Sequence, residues 1–143
     1  MSIFAGVIIT ILAVLSAMHV LWGLGIWWPV RDEARLARTV VGQAGDAGMP
    51  PGPACFAVAS ALGAAALLTG QIAGWHLLGF LPGWVVTIGG WIVVAVFLFR
   101  GAITYTAPWH RLLPAEPFRT FDRLAYAPLC LGLGGGVAAL LLA

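Results

Sequence analysis

GWIVVAVFLFRGAITYTAPWHRLLPAEPFRTFDRLAYAPLCL, residues 90–131, sets an arginine inside an apolar run and follows it with a polar hairpin that leads straight into a second apolar run. Arg100 is the least expected residue in the chain. An ionisable group at membrane depth costs about 3 kcal/mol on insertion scales, so it is expected to face a partner or a wet cavity rather than lipid. Whether the surrounding sequence is membrane or soluble core therefore decides the fold.

Composition answers that question. The chain of 143 residues is 62% hydrophobic and 8% charged, with a mean hydropathy of +1.01. Soluble domains average about 45–50% apolar and about 25% charged residues. The chain is thus expected to be an integral membrane protein, and at roughly 20 residues per span it has room for about four helices in one domain. All seven basic residues are arginines, and the net charge of +2 is too small to point to nucleic acid. Cys55 and Cys130 show neither C-x-x-C nor metal-like spacing, so packing is the expected role of both and no metal site is expected.

Outward from the opening stretch, the apolar runs predict spans at 3–28, 54–73, 84–106 and 124–142, an all-α bundle of four transmembrane helices. The first run lacks a basic n-region and continues through Trp22, Trp27 and Trp28, which reads as a retained span ending in an interface belt. His19, Trp22 and Gly23 share one face of it at i, i+3 and i+4. His19 either hydrogen-bonds a neighbouring helix, with Gly23 allowing close approach, or acts as a ligand-binding or proton-handling imidazole. RDEARLAR, 31–38, predicts a short surface helix with Asp32 and Arg35 spaced to pair, and the glycines and prolines that follow predict an irregular connection. Small residues make the second span a central helix, and His76 falls in the short uncharged loop after it. Trp109 and His110 read as an interface pair beyond Pro108. In the fourth span, Pro128 predicts a kink or a helix start just before it. Residues 118–127 read as an interfacial segment, and Gly132 with Gly136 as a G-x-x-x-G packing pair.

Arg31, Arg35 and Arg38 fall in the first connection, and Arg111, Arg119 and Arg123 in or beside the third. The second connection and both termini carry no basic side chain. The positive-inside rule then predicts both termini outside and both arginine-bearing loops in the cytoplasm. With that orientation His19 and Arg100 lie about one to two turns from the cytoplasmic ends of their helices. Asp122 stands at the mouth of the fourth span and Tyr126 one turn further in. His19, Trp22, Arg100, Asp122 and Tyr126 are therefore the candidate ligand-binding residues, in a cluster open to the cytoplasm. An Arg100–Asp122 ion pair is the first expectation, because buried charge is tolerated when paired.

Such a cluster either fixes the register of the bundle or binds. In the second case Arg100 holds an anionic or carbonyl group of a small molecule or lipid, while His19 or Tyr126 donates or accepts a proton; whether a bond is made or broken stays open. There is no G-x-S-x-G, no H-E-x-x-H and no carboxylate in mid-span. No cofactor is implied; haem ligation by His19 and His110 would rest on two histidines alone. Beyond the lipid bilayer, two other partners fit the pattern: a membrane protein that this chain joins as an accessory or assembly subunit through its glycine-rich fourth span, or a second copy in a dimeric transporter.

GWIVVAVFLFRGAITY followed by PFRTFDRLAYAPLCLGLG resembles the ending of a small bacterial four-span family known as a domain of unknown function, numbered three-nine-nine-five. There an arginine closes the third span, and a phenylalanine and an aspartate precede a tyrosine, small residue, Pro-Leu-Cys sequence. The matching positions are Arg100, Phe118, Asp122, Tyr126, Ala127, Pro128, Leu129 and Cys130. A histidine shortly before a tryptophan in the first span is matched by His19 and Trp22. Ala127 stands where the family often has serine, and Ala-Ile-Thr-Tyr follows the arginine where it often has a second acidic residue. The resemblance implies a four-span protein of a bacterial inner membrane and points to the same His, Arg, Asp and Tyr.

Overall fold

The computed structural model describes residues 2–43 and 48–143. Among these residues four helices are long and apolar enough to cross a membrane. They are α1 (Ser2–Gly23), α3 (Gly52–Ile72), α4 (Gly83–Ile103) and a final helix running Phe118–Leu142. The last contains α6 (Phe118–Phe121), a π-helical turn (Asp122–Tyr126) and α7 (Ala127–Leu142). Short helices α2 (Glu33–Val40) and α5 (Ala107–Leu112) lie in the first and third connections. The irregular connection expected after α2 falls partly on 44–47, which lie outside the described residues.

Helix α1 ends five residues before the expected Trp28. Gly25 adopts a left-handed φ of 76°, and the Ile26 N–H closes back onto Leu21 O at 2.9 Å. That six-to-one bond over a glycine is a C-terminal stop, and it puts Trp27 and Trp28 in the following turn. Gly74 and the Trp75–Gly70 bond of 3.0 Å end α3 the same way. At the other boundary, the final helix starts at Phe118 and is helical through 118–127. The π turn accounts for this. Ala127 N donates to Asp122 O, a wider ring that lets the helix run past Pro128, which can give no hydrogen bond of its own.

The helices pack chiefly as two pairs, α1 with α3 and α4 with α7. Between α1 and α3, Ser16 Oγ donates to Ala59 O at 2.8 Å. Between α4 and α7 the approach is closest at Gly101, where a Cβ would stand 2.9 Å from Ala127 O. The pairs meet in a core that includes Ala5, Leu12, Ala65, Val94, Leu133 and Val137. Gly136 belongs to this core, since a Cβ there would strike Ile8. Gly132 has open space around it, so the expected G-x-x-x-G pair is divided between the interior and the outer surface.

Helix α3 touches α4 near the loop they share, where Leu68 and Ile72 cover Gly89 and Gly90. At the opposite end α2 lies across the bundle. Its buried Leu36 packs with Trp22 and Cys55, while Arg35 and Arg38 stay exposed. Asp32 caps α2 by accepting from Arg35 N at 2.8 Å, so it meets the backbone of Arg35.

Candidate functional site

A buried carboxylate joins three elements where α4 ends and the final helix begins. Arg100, in the last turn of α4, donates from Nη2 to Asp122 Oδ1 at 2.7 Å and from Nη1 to Thr104 Oγ1 at 2.8 Å. Thr104 sits one turn further along and gives its own proton to Asp122 Oδ2 at 3.0 Å. Trp109 Nε1 donates to the same oxygen at 2.8 Å. Asp122 is 1% exposed and Thr104 wholly buried. A charge so deep is tolerated because three donors, from Arg100, Thr104 and Trp109, are aimed at it. The guanidinium also lies over the Trp109 ring, 4.9 Å from its centroid, which adds a cation–π attraction.

Arg100 and Trp109 line a cavity of about 320 Å³ whose other walls include His19 and Trp22 of α1, Cys55 and Val58 of α3, and Phe118. His19 Nδ1 is 2.8 Å from Leu15 O, one turn back on its own helix. Its partner is therefore not a neighbouring helix. The imidazole lies against Trp22 with ring centroids 4.8 Å apart, and Trp22 Nε1 donates to Trp28 O at 2.9 Å. Gly23 does allow close approach, since a Cβ there would stand 2.8 Å from the Phe56 ring.

Of the five residues singled out from the sequence, His19, Trp22 and Arg100 line this cavity. Asp122 is bonded to Arg100 but is not among the lining residues. Tyr126 points elsewhere: its hydroxyl donates to Thr39 O at the end of α2, 3.2 Å away, and its ring packs beside Phe118 and Phe121. Sequence reasoning missed Thr104 and Trp109. Thr104 carried a signal, since i+4 from Arg100 is the next position on the same helix face. Trp109 looked like a belt residue, and only the turn begun by Pro108 brings its indole back to Asp122. Cys55, read as packing, is buried in the cavity wall with Sγ 3.6 Å from Pro50 O. Among the described residues no group of three or more His, Cys, Asp or Glu is placed to hold a metal ion. His110 does not line the cavity with His19.

The model of a family described as Protein of unknown function (DUF3995) matches residues 12–137. The chain belongs to this family. The DUF3995 match extends from within α1 to within α7 and so takes in every residue of the network and every candidate named above. Neither the curated proteins nor the solved structures gave a match.

Proposed function

We propose that this DUF3995 protein binds a small molecule or lipid in the cavity between His19 and Arg100, with Arg100 as the anchoring donor. The observation that carries the reading is the incomplete use of the guanidinium. Among the described residues, only two of its N–H groups have partners, although the fork offers five. Its side chain is 32% exposed, at the wall of a cavity that is otherwise largely apolar. Pockets of this kind, apolar with a few convergent polar groups, are where small ligands bind.

The test is native mass spectrometry of protein extracted in mild detergent, compared with the Arg100→Leu/Asp122→Leu double variant. Removing both partners avoids stranding a buried charge. A bound mass present in the native protein and lost from the double variant is expected; retention of that mass would reduce the ion pair to a structural role.

We place the arginine-bearing end in the cytoplasm of a bacterial cell and both termini outside, because Arg31, Arg35, Arg38 and Arg111 lie in the two connections at that end and Arg119 and Arg123 in the first turns of the final helix beside them. Labelling of Ala143→Cys by an impermeant thiol reagent in intact cells is expected; protection from it would invert the topology.

A second reading, an accessory or assembly subunit, is favoured by one feature. Among the described residues neither Gly132 nor Gly135 has a neighbour that a Cβ would touch, so the bundle itself does not need them small, whereas an approaching helix would. A stoichiometric partner co-purifying from native membranes, and lost in Gly132→Leu, would support that docking role.

A further inference from the structure

The charge balance at the cavity wall narrows the class of ligand, on the reading that the cavity is a binding site. Among the described residues that line the cavity Arg100 is the sole arginine, with no lysine beside it, and Asp122 already neutralises it at 2.7 Å. A ligand anion would add a second negative charge beside a cation whose charge is matched, in surroundings too apolar to solvate the excess. An uncharged oxygen acceptor takes the remaining N–H groups of Arg100 with no such cost.

His19 supplies the complementary group. A carbonyl oxygen only accepts, so the 2.8 Å contact with Leu15 O puts a proton on Nδ1. In the neutral ring Nε2 is then an acceptor, fit for a ligand hydroxyl. One wall therefore donates and another accepts, while Met49, Val58, Leu113 and Phe118 between them are apolar.

The walls also indicate the route. Ala54 and Val58 line the cavity and are exposed on the flank of α3, a candidate membrane span. Val58 lies about 9 Å along that helix from its first residue. The opening thus faces the shallow part of the bilayer, where lipid head groups give way to chains. At about 320 Å³ the cavity is at the small end of the ~300–1,000 Å³ typical of ligand sites, enough for a head and the start of one chain.

We infer that the cavity takes an uncharged single-chain amphiphile whose head carries carbonyl and hydroxyl oxygens, admitted sideways from the bilayer between α3 and α4. Arg100 donates to the carbonyl, His19 accepts from the hydroxyl, and the chain trails past Ala54 and Val58 into lipid.

The test is competition between monododecanoylglycerol and dodecanoate, equal in chain and different in charge, for the solubilised full chain at pH 8, read by native mass spectrometry. The uncharged probe is expected to be retained about tenfold better, equivalent to about 1.4 kcal/mol. Arg100→Lys, which keeps a cation for Asp122 but loses the planar fork, is expected to lose most of that retention while remaining folded. Equal or better retention of dodecanoate would overturn the uncharged class and leave the binding site standing. If neither probe is retained above the level of Ala54→Trp, a substitution that fills the exposed opening, the binding reading fails with it.

Discussion

From mid-span to the end that carries both termini and the 73–82 connection, the helices are held by apolar contacts of Leu12, Val137, Leu140 and the alanines between them. At the other end the helices enclose a cavity, and one link there is a carboxylate that receives three donors, from α4, its C-cap Thr104 and α5. The long helices at the first end are packed chiefly by shape, which is what lipid permits, because hydrocarbon chains are as apolar as leucine and give helices no hydrophobic reason to associate. The second adds to the packing of Trp22, Leu36 and Cys55 a set of directed bonds, which fix position without filling volume. A bundle that must keep a hollow between its helices needs that second kind of link.

The largest test of this contrast is Asp122→Ala. It leaves Arg100 without its counter-charge and Thr104 and Trp109 without their acceptor, and a cost of about 3–5 kcal/mol is expected, read as a lowered midpoint of thermal unfolding in detergent. An unchanged midpoint would mean that the network is not what holds that end.

Leu12→Ala probes the packed end, where Leu12 is wholly buried. Since lipid rather than water is the reference, mainly the packing contribution is lost, and about 1–2 kcal/mol is expected. A cost as large as that of Asp122→Ala, in the same unfolding measurement, would erase the distinction between the ends.

Tyr126→Phe is the mildest. It removes one bond to Thr39 O, worth about 0.5–1.5 kcal/mol, and the expected result is faster deuterium uptake in α2 with the long helices unchanged. Uptake in α2 equal to that of the native protein would show that the tyrosine does not hold this helix over the cavity.

The Arg100–Asp122 bond was legible in the sequence for a plain physical reason. Two opposite charges at the ends of adjacent apolar runs, joined by a short connection, have few better partners than each other. His19 and Trp22 were legible as a pair because i and i+3 fix a common face whatever the rest of the chain does. Trp109 was not, because tryptophan near a membrane boundary has an ordinary interfacial use that gives the same sequence pattern. Nor was the separation of Tyr126 from Arg100: depth along a helix can be counted from a sequence, but the π turn at Asp122–Tyr126 alters the angle at which the residues after it project.

The sequence by itself determined that this is a four-helix membrane protein, where its charges lie along the chain, and which charge answers Arg100. Those properties follow from composition and from spacing within single elements. The tertiary structure alone decided that His19 and Arg100 stand on walls of one cavity and that α2 covers that end. It also decided that the indole of Trp109 completes the carboxylate's shell and that Tyr126 ties down Thr39 from 87 residues away. Those arrangements depend on how separate helices are turned about their axes, which packing sets and no local pattern records.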